Sequence, residues 1–447
     1  MRILEGRRAA RLAALAATVA ALSLGAASCG DDDDESSGGG GGGGGTTQSE
    51  PAAAASKCGL GNGQKASGDP IKLGGLATKQ PGVDFTQITG MAKAYFDCVN
   101  DNGGINGRPI QYITKTEQTN PQQVVSIVTK LWENDQVLGF VGNTSLLDCD
   151  VNRKFYEEND IYVILAGVPR QCFQQPNVAA VNMGPNYSAL GAAQALVRAG
   201  AKSLVAITGK QPGAEYNNEG VLKLAKQEGI PGKSFLEPQP FNDGAALALK
   251  AVEAAGDDGG VVITAIAPEA LKIMQGAEQQ GLIDRVKWGC ATPCNDASLA
   301  KAVGPAWNGK MNINAELNLV DTNGPDMQLY RQVNEKYGSG IPLGSFGQMG
   351  FLDARLATQA LLDQPDKEYT KTTVNEAFRD IKPFKTDVLC KPWYFGKGDV
   401  HVPNNTDYTI VPQDGKFVKK EDCFDIAALP GNNLEEIRAA EKETGVR

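Results

Sequence analysis

The stretch from Ile71 to Ile113 constrains the fold more than any other part of the chain. It opens on a short apolar run, Ile71-Lys72-Leu73-Gly74-Gly75-Leu76, followed by a loop from Ala77 to Asp84 that carries Gln80-Pro81-Gly82. Apolar residues then recur at Ile88, Met91, Ala92, Tyr95, Phe96 and Val99, three and four apart, the spacing of one helix face. Asn102-Gly103-Gly104 stops that helix where glycine can take a left-handed conformation. Gly107-Arg108-Pro109 turns the chain into a second apolar run, Ile110-Gln111-Tyr112-Ile113. Strand, helix, turn and strand form one βαβ unit, and such units build parallel sheets.

The segment from Gly90 to Ile110 is more specific than its periodicity. It resembles the first helix and turn of the leucine/isoleucine/valine-binding family of periplasmic substrate-binding proteins, which feed ABC importers. The turn Asn102-Gly103-Gly104-Ile105-Asn106-Gly107, directly after the first helix of a βαβ unit, carries the resemblance. It extends over roughly Asp69 to Val418 and is strongest in its first third. It implies an α/β protein with the two-lobe type I periplasmic-binding-protein fold. Each lobe is then a mainly parallel sheet flanked by helices, and three hinge crossovers join the lobes.

Residues 1–28 are read as a bacterial secretion signal. Arg2, Arg7, Arg8 and Arg11 make a basic start, Leu12 to Leu24 is apolar, and the small residues Gly25-Ala26-Ala27-Ser28 precede Cys29. This is a lipobox-like end, with Ala26 where the usual pattern has leucine, and Cys29 is the expected lipidation site. Residues 29–56 follow as a tether: Asp31 to Glu35 is a solvated charge run and Gly38 to Gly45 is all glycine. Such a composition cannot bury enough apolar surface to offset its ordering entropy. As a flexible coil it spans about 30 Å, enough to hold a domain just off a membrane.

The remaining residues, about 390, suggest two domains. The whole chain carries a net charge of −9; losing the four Arg and one Glu of residues 1–28 leaves −12. No basic patch or RNA-binding motif appears, so a nucleic-acid partner is not expected. After Cys29 no apolar stretch reaches membrane length, so the expected membrane attachment is the lipid alone. The expected location is the outer face of the cytoplasmic membrane.

Beyond Cys29 there are eight cysteines: Cys58, Cys98, Cys149, Cys172, Cys290, Cys294, Cys390 and Cys423. An even number in an exported chain reads as disulfides, with 105 pairings open. Pairing by local proximity gives Cys58–Cys98, Cys149–Cys172, Cys290–Cys294 and Cys390–Cys423. Cys149 and Cys172 each lie a few residues past successive strand ends. The first pair needs the N-terminal segment to fold back over the first helix. Zinc is the rival use, but no Cys-x-x-Cys exists and His401 is the only histidine, so neither a metal nor a cofactor is expected.

Strands and helices alternate through the first half. Pro121 to Trp132 is helical by spacing and Val137 to Gly142 is a buried strand. A helix is expected from just after Ser145 to Asn159, and Ile161 to Leu165 is the next strand. The alternation restarts after Val181 to Ser188, with helices Ala189–Ala199, Asn218–Glu228, Ala245–Ala255 and Pro268–Gln280 and strands Ser203–Thr208 and Val261–Ile266. Met311 to Val320 reads as a strand, Asp326 to Tyr337 and Gly350 to Leu362 as helices, and Tyr408 to Val418 as a hairpin around Gln413-Asp414-Gly415. The division is residues 57–184 and 317–388 for lobe one, 185–316 for lobe two, and 389–447 for a hinge, a return to lobe two and a tail.

Ligands of open α/β sheets sit beyond the carboxyl ends of strands. That rule selects Asn143-Thr144-Ser145 and Ala166-Gly167 in the first half, and Gly209 to Tyr216 and Ala265-Ile266-Ala267 in the second. The candidate ligand-binding set is Thr144, Ser145, Ala166, Gly167, Tyr216, Ile266 and Phe85. Gly142-x-Thr144-Ser145 resembles the family loop whose hydroxyls and N–H groups, at a helix start, hold a ligand carboxylate. Simple N-capping of a helix beginning near Leu146 is the other reading of Thr144 and Ser145. Amino-acid binders of the family carry an acidic residue near positions 265–267 for the ligand's ammonium group. Here those positions are Ala265-Ile266-Ala267, and Glu269 falls in the first turn of a helix. Amides, urea-like compounds and aromatic or short aliphatic acids therefore stay open beside amino acids. Trp393-Tyr394-Phe395 reads either as a packed hinge or as ligand contact.

An enzyme is not expected. His401 stands without a Gly-x-Ser-x-Gly elbow. Gly59-Leu60-Gly61-Asn62-Gly63 precedes the first strand, whereas a dinucleotide loop follows it. The expected function is a monomeric, lipid-anchored substrate-binding protein that closes on a small polar solute and docks on an ABC permease. A ligand sensor of the same fold and a secreted hydrolase are the alternatives.

Overall fold

The computed structural model describes residues 57–395, 402–426 and 434–446. Cys29 and His401 lie outside the described residues. The first sheet holds β1 (Ile71–Gln80), β2 (Val83–Asp84), β3 (Ile110–Glu117), β4 (Gly139–Asn143), β5 (Val163–Leu165) and β6 (Val178–Ala180). β1 lies between β3 and β4, with β5 and β6 beyond β4, and all five are parallel. β2 folds back antiparallel on the end of β1. β1 runs four residues further than its apolar run suggests, because Ala77 and Thr78 pair with Thr116 and Glu117 and are fully buried.

The helix Thr86–Asn100 buries the expected face, Ile88, Met91, Ala92, Tyr95, Phe96 and Val99. Gly103 and Gly104 follow it with φ of +98° and +58°. The expected helix from Ser145 to Asn159 is instead two short pieces, Asp148–Val151 and Arg153–Glu158, parted at Asn152. Buried Asp148 accepts hydrogen bonds from Asn143, Asn152 and Tyr156 there. Apolar spacing gives no sign of such a polar knot.

The second sheet holds β7 (Leu204–Gly209), β8 (Gly232–Glu237), β9 (Gly260–Thr264), β10 (Lys287–Cys290), β11 (Met311–Ala315), β12 (Thr406–Gln413) and β13 (Lys416–Asp425). Its order is β13-β12-β11-β10-β9-β7-β8, and β7 to β11 are parallel. β12 and β13 form the antiparallel hairpin at one edge. β8, the opposite edge, lacks a buried apolar pattern and carries little strand signal of its own.

The chain passes between the sheets three times. It leaves the first after β6 and builds β7 to β11. It returns with the helices Pro325–Tyr337, Ser345–Leu362 and Lys371–Arg379, the second of which packs along Thr86–Asn100. It then goes back to add β12 and β13. The last passage is held by paired backbone bonds between Phe384 and Trp393, and the Trp393 indole donates to the Ala180 carbonyl at 2.9 Å. Trp393, Tyr394 and Phe395 are all buried in packing. The structure pairs Cys58 with Cys98, Cys149 with Cys172, Cys290 with Cys294 and Cys390 with Cys423.

Candidate functional site

The carboxyl ends of both sheets face one cleft. Lobe one contributes Thr144 beyond β4, Ala166 to Val168 beyond β5, Val83 and Phe85 before the first helix, and Ile88 within it. Phe346 and Met349, at the start of the helix Ser345–Leu362, complete this wall, and Phe85 meets Phe346 edge to face at 5.6 Å. Lobe two contributes Thr208, Gly209 and Gln211 after β7, Asn217 from the helix Glu215–Gln227, and Gln239 after β8. Thr264, Ala265 and Ile266 follow β9, Thr292 follows β10 and Glu316 follows β11. The cleft holds about 680 Å³ of atom-free space, a figure that includes its open mouth.

Local backbone explains how Thr144 reaches the cleft. Gly142 has φ +73°, and the β4–β5 register slips between Val141 and Asn143. A side chain at that φ is disfavoured, so glycine permits the kink that ends the strand. Beyond it, Thr144 N–H donates to the Leu76 carbonyl at 2.7 Å and Thr78 N–H donates to the Thr144 carbonyl at 2.9 Å. Ser145, the next residue, turns away from the cleft. Its hydroxyl bonds Glu117 at 2.9 Å and accepts the N–H groups of Leu147 and Asp148. The anion-holding helix start expected near Leu146 is thus a four-residue helix at Asp148, capped from behind by Ser145.

Tyr216 also falls outside the lining. The Arg170 guanidinium sits over its ring at 4.7 Å, and burial holds its phenol above the usual tyrosine range. Asn217, one helical position on, faces the cleft instead. The structure therefore brings Thr144, Ala166, Gly167, Ile266 and Phe85 together and leaves Ser145 and Tyr216 behind the surface.

Glu316 is the single ionisable side chain among the described lining residues. It is 1 % exposed and accepts the Met183 N–H. Burial pushes its carboxyl up to about 8, although bonds from the Met183 N–H and the Thr292 hydroxyl pull the other way. At neutral pH it is a neutral acid. Glu269, by contrast, is committed to the Phe241 N–H and to Lys272 and stays out of the cleft. Sequence reading missed Glu316 because Met311 to Val320 looked like one strand. β11 ends at Ala315, which puts Glu316 at the strand's carboxyl end.

The lobes touch across the mouth. Arg170 lies in the turn Arg170–Phe173, which Cys149–Cys172 fastens to lobe one, and it pairs with Glu219 on the helix Glu215–Gln227. At Gly82 an added Cβ would lie 2.8 Å from the Gln239 Cβ.

A family model for periplasmic binding proteins matches residues 70–416. Among curated protein sequences, none matches the chain significantly. Solved structures do resemble it. A fatty acid ABC transporter substrate-binding protein from Thermomonospora curvata is 19 % identical, with a TM-score of 0.69 over 83 % of this chain and 96 % of its own. A branched-chain amino acid ABC transporter protein from Thermus thermophilus with bound valine is 18 % identical, with a TM-score of 0.69 over 82 % and 98 %. A solute-binding protein from R. palustris in complex with 4-hydroxybenzoate is 16 % identical, with a TM-score of 0.65 over 80 % and 98 %. At these identities the likeness is one of fold. With the family match spanning most of the sequence and the two-lobe fold built as that family's solute binders are, the chain belongs to the periplasmic binding protein family.

Proposed function

We propose that this chain is the substrate-binding component of an ABC importer, held outside the cytoplasmic membrane by a lipid on Cys29. It captures one small solute between its lobes and presents the closed form to a permease. The observation that carries this reading is the cleft itself, set at the carboxyl ends of two mainly parallel sheets and lined from both of them. Structural relatives described with fatty acids, valine and 4-hydroxybenzoate support a ligand with a substantial apolar body. Positions 265–267 lack an acid, and the cleft's own acid is neutral, which weighs against a free amino acid.

A thermal-shift screen over amino acids, amides and aromatic and aliphatic acids tests the proposal. A ligand at a hundred times its dissociation constant should add about 2.7 kcal/mol of stability. Silence across all classes would count against solute binding in this cleft. Intact mass of the exported protein should place its N-terminus at a lipid-modified Cys29, and a mature start elsewhere would remove the anchor from the proposal.

A further inference from the structure

The cleft carries more hydrogen-bonding capacity than the fold uses. Gln211, Asn217 and Gln239 all line it from lobe two, and their carboxamides bond no other described residue. Asn217 is only 5 % exposed, and the oxygens Gln211 Oε1 and Thr264 Oγ1 are buried without a partner. Other polar groups of the lining are engaged within the protein. Asn182 bonds both the N–H and the carbonyl of Gly167, and Thr208 donates to the Thr264 carbonyl at 2.9 Å. Buried amides without partners are costly and uncommon. Here one such oxygen, on Gln211, stands beside the buried Asn217 and the half-buried Gln239 on one wall of the cleft, and together they mark where a ligand's polar atoms go.

The facing wall is apolar, with Phe85, Ile88, Phe346 and Met349. Among the described lining residues there is no lysine, arginine or histidine, so a carboxylate would enter without a counter-charge from them. Glu316 is held by the Met183 N–H deep in the floor, its environment too dry to favour ionisation beside an incoming ammonium group. Carboxamides, each with donor and acceptor, suit uncharged groups that also have both.

We infer that the ligand is uncharged, with an apolar body against lobe one and an amide-, urea- or hydroxyl-bearing end read by Gln211, Asn217 and Gln239 of lobe two. This rests on the cleft being the solute site.

Calorimetry on the mature chain with compounds of shared body and different charge tests the inference. One set is isovaleramide, isovalerate, isopentylamine and leucine; another is benzamide, benzoate and benzylamine. The amide should bind at least tenfold more tightly than its charged counterparts. Asn217→Ala and, separately, Gln239→Ala should each weaken the amide roughly three- to tenfold with the melting temperature held. An acid, amine or amino acid binding more tightly than the amide of its set would overturn the inference and leave the solute site standing. So would a charged compound from the wider screen binding where no neutral one does. No binding by any class would instead overturn the solute-site reading, and this inference with it.

Discussion

The two walls of the cleft use their polar residues in opposite ways. On lobe one they are spent on the protein: Thr144 is bonded through its backbone to β1, Ser145 serves Glu117 and a helix cap, and Asn182 is tied to Gly167. On lobe two Gln211, Asn217 and Gln239 are left over. Lobe one is therefore a finished surface that offers shape and apolar contact, and lobe two holds the uncommitted bonds that can tell one solute from another. A substitution on lobe one should show in stability before affinity, and one on lobe two the reverse.

The largest effect should come from Glu316, where the walls meet the floor. An acid raised by burial from the ordinary 4.5 to about 8 keeps its proton in the folded chain after the unfolded chain has lost it. Its stabilising contribution is fully present below pH 4.5 and is lost as pH rises through 8, an effect on the order of 5 kcal/mol. Asp407 on β12, which burial and Glu316 itself push well above the usual range, adds to the same slope. Glu316→Gln should flatten the fall in unfolding free energy between pH 5 and 9, measured by denaturant titration. A parent chain equally stable at both ends would show that the floor is wetter than the structure has it.

Ser145→Ala sharpens the comparison on lobe one. It removes a cap and a bond to buried Glu117, so the unfolding free energy should fall by about 1–2 kcal/mol. Ligand affinity should change little. A tenfold weaker dissociation constant with an unchanged melting curve would restore Ser145 as a ligand contact and break the contrast between the walls.

Arg170→Ala should have the smallest effect. Its ion pair with Glu219 is more than a third exposed, so water screens it, and the cation sits over the Tyr216 ring. Because the contact joins the lobes, its loss should appear as ligand release about two- to threefold faster by stopped flow, with the association rate nearly constant. Unchanged release would assign the contact to packing within the closed form alone.

Much of this was legible in the sequence, for physical reasons. Helix Thr86–Asn100 and its glycine turn announced themselves because their spacing and left-handed corner are local properties. The strand-end rule reached Thr144, Ala166, Gly167 and Ile266 because it needs only where a strand stops. Tyr216 and Asn217 show the limit: neighbours on a helix point about 100° apart, and nothing local says which one faces the cleft. Gln239 follows β8, an exposed edge strand without an apolar pattern. Glu316 looked like one more residue of an alternating strand, and its neutrality depends on burial that only tertiary packing creates.

The contrast between the walls is tested most directly by the affinity of Asn217→Ala for the strongest ligand of the thermal-shift screen, measured by calorimetry beside the parent chain. Asn217 is buried, lines the cleft and has no other described partner, so its amide is free to bond the ligand. The account predicts a dissociation constant raised roughly three- to tenfold at an unchanged melting temperature. An unchanged dissociation constant would mean that lobe two does not read the solute, contradicting the assignment of selection to that wall.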